Sequence, residues 1–116
     1  FEIIPLGKGF SWRPGADDSQ DKAAAQAAWQ EAVKRIQKAE VDLLVLDELN
    51  IAIKQGWLDS AEVIAGLKAK PAWMHIIVTG RGVTPEMIEA SDLVSEIQEI
   101  KHPYQKGVKA QKGIEF

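Results

Sequence analysis

The sequence predicts an α/β fold built on a mostly parallel sheet with crossover helices. Three observations predict it. Strand-like and helix-like segments alternate along the chain, as they do in βαβ units. The run Leu43-Leu44-Val45-Leu46 is apolar throughout, the pattern of a strand covered on both faces. That run ends abruptly in two carboxylates, Asp47 and Glu48, and open α/β sheets bind ligands at the carboxyl ends of their strands.

Each element has its own justification. Phe1–Leu6 is the first candidate strand and leads into a loop rich in glycine and proline, Gly7 to Gly15. Asp17 to Glu40 is a helix: Asp17, Asp18 and Ser19 offer N-caps. Its apolar stripe of Ala25, Ala28, Trp29, Ala32, Val33 and Ile36 follows i, i+3, i+4 spacing. Asp42–Asp47 is the second strand, followed by a short helix over Ile51–Gln55 that Gly56 stops. Asp59 with Glu62 has the spacing of a capping box and opens a helix packing Val63, Ile64 and Leu67. Pro71 closes that region. His75–Thr79 is the third strand and runs into the turn Gly80-Arg81-Gly82. Thr84-Pro85 starts a helix that reaches about Ala90. Leu93–Ile100 is a fourth strand, alternating less cleanly and therefore nearer the sheet edge. Trp29 reads as core packing, and Trp57 and Trp73 as ordinary packing near element ends.

With 116 residues the chain has room for one domain core and not for two. No apolar run approaches the ~20 residues that span a bilayer, so no membrane association is expected. Phe1 opens on a strand-like segment without a charged leader or cleavage pattern. The absence of cysteine excludes disulfides and thiolate metal sites, and together these features point to the cytoplasm. The formal charge of −3 is uneven. From Lys101 onward Lys101, Lys106, Lys109 and Lys112 against Glu115 make +3, so residues 1–100 carry −6. A basic end on an acidic body can attract an anion such as a polyphosphate, or simply form a solvated tail. Lysines without interleaved aromatics give no basis for nucleic-acid binding.

If the strands are parallel, three loops share one sheet edge: Gly7–Trp12, Asp47-Glu48 and Gly80-Arg81-Gly82. Acids at such a strand end can hold Mg²⁺ or its water against phosphates. If both are extended, Asp47 and Glu48 point to opposite sides, so that only one is a direct metal ligand. Gly80 and Gly82 let the backbone approach a ligand closely while Arg81 offers a forked donor to phosphate or carboxylate; a surface arginine in a tight turn is the plainer alternative. Phe10 and Trp12 flank Ser11 in a loop, where their rings either cap the core or await a flat apolar partner. His102, before Pro103, can offer a hydrogen bond to a ligand. Nowhere among the 116 residues is there a G-x-x-x-x-G-K-[ST] phosphate loop.

Taken in order, Gly9-Phe10-Ser11-Trp12, Leu44-Val45-Leu46-Asp47-Glu48-Leu49-Asn50, Val78-Thr79-Gly80-Arg81-Gly82, Ser95-Glu96 with Lys101-His102, and the ending Gly107 to Phe116 resemble the C-terminal portion of a corrinoid adenosyltransferase of the ATP-binding, P-loop type. The resemblance covers essentially the whole chain. It implies a three-layer, RecA-like P-loop fold whose N-terminal strands and phosphate loop lie upstream of Phe1. It also implies transfer of the 5′-deoxyadenosyl group of ATP to a Co(I) corrinoid, in cobalamin biosynthesis or salvage, with release of tripolyphosphate. Under it, Phe10 and Trp12 match aromatics at the lower face of the corrin ring. Glu48 with Asp47 matches the acids that serve Mg²⁺, and Gly80, Arg81 and His102 match positions near the nucleotide. Members of that family are cytosolic homodimers that draw on a reductant such as a reduced flavoprotein. The resemblance leads us to expect bare sheet edges prone to self-association, and no normal ATP binding or transfer by these 116 residues alone. Two other readings use the same features: a fragment of a RecA-like regulatory ATPase, and a non-catalytic interaction module built on a partial sheet.

Overall fold

The computed structural model describes residues 1–6 and 17–113. The elements run α1 (Ser19–Lys38), β1 (Leu43–Leu46), α2 (Leu49–Lys54), α3 (Ser60–Lys68), β2 (His75–Val78) and α4 (Pro85–Ala90), then a single 3₁₀ turn at Pro103–Lys106. β1 and β2 pair in parallel, with Leu43 opposite His75 and Leu46 opposite Val78. Backbone bonds extend the ladder at both ends, from His75 N–H to Asp42 O (2.8 Å) and from Thr79 N–H to Leu46 O (3.2 Å).

Local chemistry accounts for the helices. The stripe on α1 buries Trp29, Ala32 and Ile36. Asp18 occupies the N-cap position but makes no capping bond; its carboxylate accepts instead from Trp57 Nε1–H at 2.6 Å, tying the start of α1 to the end of α2. Asp17 takes over locally, accepting from Ser19 N–H at 3.0 Å. At α3, Asp59 accepts from Glu62 N–H at 2.9 Å. At α4, Thr84 accepts from Met87 N–H at 3.3 Å, with proline in the first turn where its missing N–H costs nothing.

α1, α2, α3 and α4 share one core containing Trp29, Ile53, Trp57, Val63 and Met87, against which Leu46 of β1 and Val78 of β2 pack. Val63 and Met74 are fully buried, and complete burial of such a side chain contributes about 1.5–3 kcal/mol. Arg35 pins residues 1–6 to α1 through Glu2 (3.1 Å) while also bonding Glu31 (3.0 Å).

Three expectations are corrected. Phe1–Leu6 and Leu93–Ile100 are not strands. A strand needs a ladder partner for its N–H and C=O groups, and among the described residues the sheet has two strands. The apolar side chains of both segments stand in solvent, with Ile3 77%, Leu93 84% and Ile97 96% exposed. β1 is not covered on both faces: Leu43 and Val45 are half exposed, as is Ile77 of β2, whereas Leu46 and Val78 face the helices. Trp73 is also half exposed. The turn that Met74 N–H closes on Pro71 O puts Met74 inside and Trp73 outside.

Candidate functional site

The parallel register places the residue after β1 beside the residue after β2, so Asp47 meets Thr79. The Thr79 hydroxyl donates to Asp47 Oδ1 at 2.6 Å and accepts from Glu48 N–H at 3.0 Å. One hydroxyl thus bridges the two acids, leaving Asp47 Oδ2 uncommitted. Glu48 is not extended: with φ 60° and ψ 16° it is left-handed, a conformation costing a non-glycine residue about 1–2 kcal/mol. The expected alternation of the two side chains therefore fails, because the chain kinks at Glu48 to enter α2. Glu48 Oε2 is buried and, among the described residues, has no hydrogen-bond partner.

Asn50 completes the join. Its backbone N–H donates to Thr79 O at 3.2 Å and its side-chain amide to Gly80 O at 3.5 Å. Its Oδ1 is a second buried acceptor without a donor among the described residues. Gly80, at φ 122°, lies so close that a Cβ there would meet Asn50 Cβ at 3.2 Å and Glu48 Cα at 3.3 Å. Glycine is required at this position both by backbone angle and by space.

Arg81 is exposed and makes no ion pair or hydrogen bond among the described residues. Beside it, Gly82 lets the stem of Lys54 lie directly across the turn, where a Cβ would collide with Lys54 Cδ. Among the described residues neither Arg81 nor Lys54 is paired with a carboxylate. Their free charge suits an anion. On the other side of the acids runs a groove of about 610 Å³ between residues 1–6, α1 and β1, lined by Ile3, Ala28, Ala32, Leu44 and Leu46 and reaching Asp47 and Glu48.

The structure therefore brings together Asp47, Glu48, Gly80 and Arg81. Phe10 and Trp12 lie outside the described residues, as does the whole of the Gly7–Trp12 loop expected on this edge. His102 is used locally: its Nδ1 accepts from Tyr104 N–H at 3.0 Å, and among the described residues it makes no bond to the strand-end cluster. Sequence reasoning missed Thr79 and Asn50. Both lie in the segments that carry the family resemblance, but the bonds they make across the strand ends depend on the register of β1 against β2. Among the described residues no three His, Asp or Glu side chains gather as a metal cage, and no helix is long and apolar enough to cross a membrane.

The chain is 49% identical over 111 residues to a corrinoid adenosyltransferase of Pseudomonas aeruginosa, covering 96% of this chain and 54% of that protein. It is 43% identical over 116 residues to one from Sinorhizobium, covering 99% and 54%. It is 36% identical over 115 residues to one from Salmonella typhimurium, covering 99% and 58%. The chain thus spans about half the length of the curated relatives it matches. The model of the ATP:corrinoid adenosyltransferase BtuR/CobO/CobP family matches residues 1–116, and the chain belongs to that family.

Proposed function

We propose that this chain is the C-terminal portion of an enzyme that transfers the 5′-deoxyadenosyl group of ATP to the Co(I) centre of a corrinoid, in cobalamin biosynthesis or salvage. In that transfer a cobalt–carbon bond forms at C5′, the C5′–oxygen bond breaks, and tripolyphosphate leaves. Family membership over the full chain supports the transferase over a regulatory ATPase or an interaction module. The observation that carries the site assignment is the acid pair bridged by Thr79 beside the uncommitted Arg81.

The residues present fit Mg²⁺. Asp47 and Glu48 are hard oxygen donors, Glu48 Oε2 is buried without a donor among the described residues, and Mg²⁺ takes one or two carboxylates and completes its shell with water and phosphate. Bound there, Mg²⁺ would offset the charge of the departing tripolyphosphate. Asp47 and Glu48 hold the metal side. Arg81 binds phosphate oxygens through a fixed fork, with the Gly80 turn giving the nucleotide room to approach. We assign His102 to the ribose side. Phe10 and Trp12 face the corrin ring and help exclude the lower axial ligand of cobalt. The full protein has a three-layer RecA-like fold, works as a cytoplasmic homodimer and receives electrons from a reduced flavoprotein. The bare face of β1 and β2 and the exposed Leu93–Ile100 segment support a larger sheet than these residues form.

ATP titrations of the protein expressed from the full reading frame, with and without Mg²⁺, test the site. Glu48→Ala is expected to weaken Mg²⁺-dependent ATP binding by about 10-fold or more, given the 1.4 kcal/mol that corresponds to each decade. Wild-type affinity that is identical with and without the metal overturns the metal assignment.

A further inference from the structure

Resting on the nucleotide-site reading above, we infer that Thr79 is a positioning residue that fixes both acids, the Asp47 carboxylate through its hydroxyl proton and the Glu48 backbone through its oxygen lone pair, toward a phosphate-bound divalent cation. Three features carry this. The bond to Asp47 Oδ1 is 2.6 Å, the length of a charge-assisted hydroxyl–carboxylate bond, and it fixes one oxygen while, among the described residues, Oδ2 has no partner. The bond from Glu48 N–H, at 3.0 Å, holds a left-handed residue that would otherwise relax to an extended backbone. Asn50 N–H and side-chain amide then bind Thr79 O and Gly80 O, so Arg81 is anchored to the same unit.

A residue serving only strand packing would act through its methyl group, for which valine is a full substitute. Thr79 differs from valine by one hydroxyl, and here that hydroxyl is both donor and acceptor to consecutive acids. A single oxygen therefore binds both the Glu48 backbone and the Asp47 carboxylate, alongside the bond that Ile51 N–H makes to Glu48 O.

The test uses Thr79→Val and Thr79→Ser in the protein expressed from the full reading frame, without corrinoid, so that turnover plays no part. Mg²⁺ is titrated at fixed ATP, and amide exchange at Glu48 is followed in the metal-free protein. Thr79→Val is expected to raise the Mg²⁺ concentration for half-saturation about 10-fold or more, the usual effect of removing a partner that orients a ligand. Thr79→Ser should restore the wild-type Mg²⁺ curve, and Glu48 amide protection should be lost in the valine variant only. A valine variant with the wild-type Mg²⁺ curve overturns the inference, as does a serine variant impaired equally with valine, which assigns the methyl group the role. A wild-type protein whose ATP binding ignores Mg²⁺ removes the metal reading itself, whatever the exchange data show, and the inference falls with it.

Discussion

Gly66 on α3 lies beneath the indole ring of Trp29 on α1, so closely that a Cβ at position 66 would stand 2.5 Å from ring Cζ2 and 2.9 Å from Cη2. The ring cannot swing aside as a lysine end could, because Trp29 is 3% exposed and packed in the centre of the core. The helix pair is therefore set at glycine distance.

Gly66→Ala is expected to destabilise the protein by about 1–3 kcal/mol through overpacking. The sign is diagnostic, since alanine in a helix interior is otherwise favoured over glycine by about 1 kcal/mol. Urea midpoints of the two proteins decide it, and a more stable alanine variant would show that the two helices separate freely.

Gly80 and Gly56 both have positive φ, 122° and 73°, but their surroundings differ. A Cβ at Gly56 meets nothing within 4 Å, whereas one at Gly80 meets Asn50 and the Glu48 backbone at 3.2–3.3 Å. Gly56→Ala is expected to cost only the backbone strain of about 1–2 kcal/mol. Gly80→Ala should cost more than Gly56→Ala by about 1–3 kcal/mol and should also lower nucleotide affinity. Equal unfolding midpoints for the two variants would contradict the tight contact.

The left-handed backbone at Glu48 predicts opposite effects on stability and binding. Glu48→Gly should be more stable than Glu48→Ala by about 1 kcal/mol, because glycine adopts this conformation without a Cβ penalty. Both variants should lose Mg²⁺-dependent ATP binding alike. Thermal unfolding with parallel titration calorimetry checks both halves.

Trp12→Ala is expected to leave ATP affinity unchanged while slowing adenosylation of a Co(II)-derived corrinoid under reducing conditions about 10²-fold, the scale of losing one positioned catalytic contact. Unchanged turnover in a coupled assay would remove Trp12 from the corrin face.

Helix placement was legible in the sequence because its determinants are local. The Asp59–Glu62 and Thr84-Pro85 starts, and the Trp29 stripe, lie within one or two turns of the residues they organise. That the Asp47-Glu48 and Gly80-Arg81 segments lie side by side was legible because a parallel sheet forces successive strand ends to one edge. What was not legible depends on partners distant in the chain. Phe1–Leu6 and Leu93–Ile100 have strand-like composition, yet composition supplies no ladder to pair with. Trp73 has the size of a core residue, but the Pro71–Met74 turn decides which of two neighbouring side chains goes inside. The bonds of Thr79 and Asn50 became visible only through register, and Asp18 could not be distinguished from an ordinary cap until Trp57 arrived beside it.

Every side-chain bond that holds the acid pair to the arginine turn joins residues 30 to 32 positions apart. A site of this kind has no local precursor: no short peptide and no nascent β1 can rehearse it. It comes into existence only when the chain closes the α2–α3 crossover and pairs two parallel strands, a non-local event that is intrinsically slow to reach. A substitution in α3, far from any phosphate, that delays this closure is thus expected to delay the appearance of nucleotide-binding competence by the same factor. In the protein expressed from the full reading frame, and on the nucleotide-site proposal, the time at which ATP first binds is expected to report strand pairing.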